Sequence, residues 1–242
     1  MRVTSHGNYL TQLTRLPHVF PVNCYLVRED DGLTLIDAAL PGSAPAIRAA
    51  ARKHGLPIRR IVLTHTHLDH VGSLDVLRKA LPDAEVLISE RDARMLAGDR
   101  SVDPGETPAK LRGSWKTCAT RPTGFLRHGD RVGSLQVVAS PGHTPGHMAL
   151  FDPRDGSLIA GDAFQTRGGI AVSGIVRPLF PFPAMATWSR SRALESAVEL
   201  RDLQPKRLAV GHGNVLEAPL PSIERAIAVA QRALGKQVQY GR

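Results

Sequence analysis

Leu63-Thr64-His65-Thr66-His67-Leu68-Asp69-His70-Val71-Gly72 sets three histidines and an aspartate within six positions, directly behind the apolar run Ile61-Val62-Leu63. The run reads as a buried strand, and apolar residues at helical spacing from Asp69 through Ala80 read as a helix, which puts the cluster on a strand-to-helix loop. Residues two apart on an extended segment point to one side, whereas neighbours diverge. His65 and His67 therefore share a direction while Asp69 and His70 split, so one short segment can feed two neighbouring metal ions. Imidazole nitrogen and carboxylate oxygen suit borderline divalent ions such as zinc. A solvated histidine-rich loop is the competing account, and the density of ligand types argues against it.

Other strand-like runs also end in ligand-type residues. Leu33 to Ile36 stops at Asp37, which is expected either to accept an imidazole N–H from the histidine loop or to serve as an ordinary hairpin-end or capping residue. Leu135 to Ala139 leads into Ser140-Pro141-Gly142-His143-Thr144-Pro145-Gly146-His147, whose Pro-Gly steps fix a tight turn and hold His143 off the strand end. His147 is expected behind the ligands, or simply as the polar start of a strand from Met148 to Phe151. Leu158-Ile159-Ala160-Gly161-Asp162 is a buried run ending in a carboxylate, which burial penalises unless a cation compensates it. Arg207 to Val210 ends in Gly211-His212-Gly213, where glycines let the backbone crowd against a site.

Between these runs, Val22 to Val27 and Leu33 to Ile36 form a predicted hairpin around Asp31-Gly32. Ser43 is the predicted cap of a helix through Ala51, closed by Gly55, and Ser89 the cap of a short helix ending near Gly98 after a strand from Glu85 to Ile88. Residues 99–123, with Pro104, Gly105, Pro108, Gly113, Pro122 and the isolated Trp115, read as a surface excursion. Helices from about Ala186 to Leu203 and from Ile223 to Leu234 cover the sheets. The apolar, proline-rich segment Arg177 to Met185 either walls a substrate pocket with Phe180 and Phe182, or packs as a rigid loop over the core.

The 242 residues contain no evident linker, so residues 1–242 are read as a single α/β domain. Hydrophobic content of 42% and charged content of 22% are those of an ordinary globular protein. Cys24 and Cys118 match no paired metal or redox motif, the segment Met1 to Leu16 lacks the apolar stretch of a secretory signal, and no segment has membrane-spanning length. A cytoplasmic setting is expected. The net charge of +9 is scattered rather than gathered into runs, so a small-molecule substrate is expected over nucleic acid, with no membrane partner and with a homodimer compatible.

His65, His67, Asp69 and His70 match the His-x-His-x-Asp-His signature, and the chain resembles the metallo-β-lactamase superfamily, whose later positions are matched by His143, Asp162 and His212. The resemblance implies an αβ/βα four-layer sandwich, two mixed sheets face to face with outer helices. It implies a first metal on His65, His67 and His143, a second on Asp69, His70 and His212, and Asp162 bridging them. The implied cofactors are two divalent ions, zinc first, with iron or manganese as alternatives. A hydroxide shared by two such ions is a nucleophile at neutral pH, and Asp69 is the implied catalytic proton-transfer group. Gln165 stands where many acyl-homoserine lactonases carry a tyrosine three positions after the bridging aspartate, which argues against a close lactonase of that type.

The expected function is hydrolysis of an ester, lactone or thioester. A phosphodiesterase or nuclease of the same fold, or a catalytically silent metal-binding regulatory protein, is the alternative.

Overall fold

A computed structural model describes residues 1–240, with side chains described as far as residue 235. Seven strands form the first sheet in chain order: β1 (Arg2–His6), β2 (Leu10–Arg15), β3 (Val22–Glu29), β4 (Gly32–Ile36), β5 (Ile58–Val62), β6 (Glu85–Ser89) and β7 (Gly124–Leu126). β1 to β4 are antiparallel neighbours, and β4 to β7 run parallel. Parallel neighbours need crossovers. These are supplied by α1 (Ala44–Lys53), by α2 (Leu68–Val71) with α3 (Leu74–Ala80), and by α4 (Glu90–Leu96) with the long loop behind it.

The second sheet starts from β8 (Arg131–Val132), β9 (Leu135–Ala139), β10 (Met148–Asp152) and β11 (Ser157–Ile159). After it come the small ribbon β12 (Phe164–Gln165) and β13 (Ala171–Val172), and the helices α5 (Phe182–Ala186) and α6 (Arg190–Asp202). β14 (Arg207–Ala209) then joins parallel to β11, followed by β15 (Leu216–Glu217) and α7 (Leu220–Tyr240), giving the order β15-β14-β11-β10-β9-β8.

Strand periodicity sorts the side chains into layers. Leu33, Leu35 and Ile61 pack outward with Ile47 of α1, Leu77 of α3 and Leu96 of α4, whereas Ile36 and Val62 face the second sheet. On that sheet Val137, Leu150, Ile159 and Ala209 face inward, while Val138, Ala149, Leu158 and Leu208 pack against Ala197 and Leu200 of α6 and Ile223 and Ile227 of α7. Three apolar layers therefore separate four layers of secondary structure, which is the expected αβ/βα sandwich. Strands buried on both faces read as unbroken apolar runs rather than as alternation. Among the described residues no helix is long and apolar enough to cross a membrane.

The structure departs from the sequence reading at several elements. β1 and β2 had no clear signal, because Thr11, Gln12 and Thr14 of β2 are buried polar residues satisfied by tertiary bonds, such as Gln12 Nε2 to the Gly213 carbonyl at 3.0 Å and Thr14 Oγ1 to Asn23 Oδ1 at 2.9 Å. The single helix expected from Asp69 to Ala80 is broken into α2 and α3. A Cβ at Gly72 would overlap Pro41, and the Ser73 hydroxyl donates to the Leu40 carbonyl at 2.7 Å while accepting the Ser43 N–H at 2.8 Å, so the break clamps two loops together. Ser43 precedes α1 but makes no side-chain cap, whereas Ser89 caps α4 as expected, accepting the Asp92 N–H at 3.1 Å. The helix expected from about Ala186 to Leu203 is α6, which starts later, at Arg190, with Ser189 as its cap, while Ala186 ends the separate short α5.

Candidate metal centre

β4, β5, β9, β11 and β14 all deliver a ligand-type side chain just past their C-terminal ends, and the sandwich brings those ends to one edge. His65, His67, His70, His143, Asp162 and His212 are buried there, and Asp69 is partly exposed. Their ligand atoms form three groups, each spanning at most 4.8 Å: the triad His65, His67 and His143, the triad Asp69, His70 and His212, and His65 with His70 and Asp162, which joins the two. Asp162 stands between the triads. Its Oδ2 is 3.3 Å from His143 Nε2 and 3.2 Å from His212 Nε2, and its Oδ1 is 3.4 Å from His70 Nε2. A Cβ at Gly211 would overlap this carboxylate, which is why the strand leading to His212 ends in glycine.

Hydrogen bonds behind the cluster fix the tautomers. The Nε2–H of His67 donates to the Arg112 carbonyl at 2.8 Å, the Nδ1–H of His212 to the Pro21 carbonyl at 2.8 Å, and the Nδ1–H of His70 to Asp37 Oδ2 at 2.8 Å. Thr64 Oγ1 donates to Asp37 Oδ2 at 2.8 Å and accepts the Nδ1–H of His65 at 3.0 Å. His143 Nδ1–H faces the hydroxyls of Ser173 and Thr187 at 3.0 and 3.3 Å. Each ring is thus pinned by one nitrogen and turns the other inward, the arrangement that metal-binding histidines require.

The inward atoms fit a cation. His65 Nε2, His70 Nε2 and Asp162 Oδ1 are buried without a hydrogen-bond partner, and such orphans are costly in a protein interior. The inward nitrogens of His67 and His143 approach to 2.9 Å. Two divalent ions would occupy these atoms. The local charges agree: burial holds His65 and His143 well below the ordinary imidazole range, while Asp162, Asp37 and Asp69 overcome burial at His70 and push it up to about 9. His212 is likewise raised by Asp162 and Asp69, and His70 and His212 in turn hold both carboxyls below their usual range against burial. His70 and His212 thus hold protons against the carboxylates, and metal binding would exchange those protons for cations.

A cavity of about 460 Å³ opens over the triads, with Asp69, Asp162, His67 and His212 in its floor and Phe20, Leu40, Phe182 and Met185 in its walls. A family model described as the metallo-beta-lactamase superfamily matches residues 18–212. The chain belongs to the metallo-beta-lactamase superfamily. It is 51% identical over 233 residues to the uncharacterized protein YobT of Bacillus subtilis (strain 168), covering 96% of this chain and 100% of that protein. It is also 28% identical over 148 residues to the hydroxyacylglutathione hydrolase of Legionella pneumophila (strain Paris), covering 60% of this chain and 49% of that enzyme. Among solved structures it resembles TTHA1623 in a di-iron-bound form, with a TM-score of 0.63, 28% identity, and 86% of this chain and 95% of that one covered.

Within this metallo-beta-lactamase fold, the structure brings all seven residues of the expected ligand set to one place and puts Asp37 behind His65 and His70. His147 lies behind Asp162: its Nε2 accepts the Asp162 backbone N–H at 3.1 Å, its Nδ1–H meets Ser140 Oγ at 2.8 Å, and burial pushes it down to about 3, so it stays neutral. The two candidate pocket phenylalanines separate. Phe182 lines the cavity and is 52% exposed, whereas Phe180 is 1% exposed, packed beneath the Phe20, Phe182 and His212 rings. Met185 also faces the cavity, while Trp188 is buried as packing. Gln165 turns away, donating to the carbonyls of Arg167 and Phe180 at 3.1 Å each.

The loop 99–123 is more than a surface excursion. Arg112 bonds His67, Ser114 accepts the Leu68 N–H at 2.8 Å, and the Trp115 ring lies 4.4 Å from the His67 ring. No periodicity marks such a loop, and two of its contacts use backbone carbonyls. Gly113 has φ +104, and a Cβ there would overlap His67. Gly113→Ala should therefore displace the imidazole and weaken metal binding by about the 10–100-fold typical of lost outer partners. Zinc titration of the variant checks this, and unchanged affinity would show that the loop does not hold His67.

Proposed function

We propose that this protein is a dinuclear metal-dependent hydrolase acting on an ester, lactone or thioester of a small, partly apolar molecule. The observation that carries the reading is the cavity: it opens on both triads, its walls are apolar, and among the described residues no lysine or arginine lines it. A phosphodiester would call for cationic side chains against its charge, so the basic surface does not favour the phosphodiesterase alternative. The similarity to a hydroxyacylglutathione hydrolase supports acyl-group chemistry.

The proposed holders of the first metal are His65, His67 and His143, and those of the second are Asp69, His70 and His212, with Asp162 shared. When bound, such a pair supplies Lewis acidity and makes water a nucleophile at neutral pH. The chain supplies the rest. Asp69, whose Oδ2 is 3.3 Å from His212 Nε2, is held at the cavity floor with partial access, where it can take up the proton of the attacking water and pass it to the leaving group. Phe20, Leu40, Phe182 and Met185 receive the apolar part of the substrate and exclude water from the reacting carbonyl. Zinc is the proposed metal, with iron or manganese as alternatives.

Metal-quantified protein assayed on lactone, thioester and phosphodiester panels tests the proposal. Turnover is expected on one of the carboxylic classes and lost on chelation. Turnover confined to phosphodiesters would overturn the substrate class, and no turnover on any panel by protein carrying two metals would favour a regulatory role.

A further inference from the structure

Behind the first triad lies a buried carboxylate that the reaction does not use. Asp92, at the start of α4, is fully buried. Its Oδ1 accepts the Gly146 N–H at 2.9 Å, and its Oδ2 accepts the hydroxyls of Thr144 at 2.9 Å and of Thr66 at 3.4 Å. Thr66 lies between His65 and His67, and Thr144 follows His143. All three side chains of the first triad are thus flanked by residues on one carboxylate, which ties the loop after β5 to the loop after β9. The second triad has no such link to it: Asp69 and His70 belong to α2, and His212 is held by the Pro21 carbonyl.

Burying a carboxylate without a direct cationic partner is costly. Burial pushes Asp92 up to about 6 despite the bonds from Thr144, Gly146 and Thr66 and the more distant charge of Arg91. A neutral residue of similar shape would spare that cost. The bonds it makes instead fix the spacing between two loops that carry one metal's ligands.

We infer that Asp92 is a positioning residue for the first metal alone, a strut that sets the His65–His67 loop against the His143 loop. The inference rests on the dinuclear reading, and it adds an asymmetry to it: the two metal sites have separate outer supports, Asp92 for the first and Pro21 for His212 of the second, while Asp37 serves both.

Titration of metal-free protein with zinc against a chromophoric chelator, alongside thermal unfolding, tests the inference. The intact protein should take up two ions. Asp92→Ala should weaken one binding step by about 10–100-fold, the range for lost outer partners, and leave the other step within about twofold. Asp92→Asn should restore most of the loss, since its carbonyl can still accept from Gly146 and its amide N–H groups can donate to the threonine hydroxyls. Thr144→Val, which removes one bond at nearly constant volume, should weaken the same step and gives the reading if Asp92→Ala fails to fold. Ser89→Ala, which removes only the cap of α4, should lower the melting temperature and leave both steps unchanged. Uptake of fewer than two ions by the intact protein would overturn the dinuclear reading and the inference together. Two ions bound with unchanged steps in Asp92→Ala and Thr144→Val, or with both steps falling together, would overturn the inference alone.

Discussion

Replacing Asp162 by alanine should strip the protein of both metal ions and reduce hydrolysis by at least the ~100-fold that loss of a mere outer partner costs. Among the described residues the carboxylate lies within 3.4 Å of inward nitrogens from both triads, reaching His143 on one side and His70 and His212 on the other. Without it, each proposed site would lose a ligand and the charge that balances its imidazoles. The remaining histidines are not left in a neutral setting, since Asp162 heads the carboxylates that raise His70 and His212. Their affinity for protons should fall along with their affinity for zinc. Elemental analysis after reconstitution is the decisive measurement. Retention of one full equivalent would show that Asp162 serves a single metal, and retention of two would remove it from the site.

The second large effect separates two neighbours. Phe180→Ala should destabilise the fold by about 3–5 kcal/mol, the cost of truncating a fully buried aromatic ring. For a chain of this size that is a fall in melting temperature of roughly 6–20 °C. The ring is 1% exposed and touches the Phe20, Phe182 and His212 rings, so its loss leaves a cavity beside the second triad. Phe182→Ala should barely change the melting temperature, because that ring is already 52% exposed. Its effect should fall on substrates. If an acyl chain covers the ring fully, the contact is worth about 1.5–3 kcal/mol, and the variant should lose roughly 10–100-fold of its preference for long chains over short ones. Metal content should not change. Equal thermal shifts in the two variants would show that both rings are core residues, and an unaltered chain-length preference in Phe182→Ala would remove it from the pocket.

The sequence carried the candidate ligand set because metal chemistry restricts which residues can appear. Only His, Asp and a few other types offer lone pairs to a borderline cation, and strand periodicity already fixed which of them share a direction. That the strands are covered on both faces was legible too, since runs such as Ile61-Val62-Leu63 and Leu158-Ile159-Ala160 are apolar at every position, whereas the four-layer order was what the family resemblance implied. A strand such as β2 was not, because Thr11, Gln12 and Thr14 are buried only by virtue of partners distant in the chain.

What supports the ligands was decided by tertiary structure. His67 and His212 are pinned by the carbonyls of Arg112 and Pro21, and a carbonyl belongs to every residue, so no residue type announces it. His147 looks like a ligand by type, yet its inward nitrogen is taken by the Asp162 N–H. Phe180 and Phe182 are identical in type and two apart in sequence, and only the packing of Phe20 and His212 around them made one core and the other cavity wall. Asp92 gave no signal because it meets Thr66, Thr144 and Gly146 across 26 to 54 residues of chain. The sequence by itself determined the chemistry available at the strand ends, which depends on side-chain identity and local direction. The fold decided the tautomers, the supports and the pocket wall, since each is a contact between segments whose proximity is set by sheet packing.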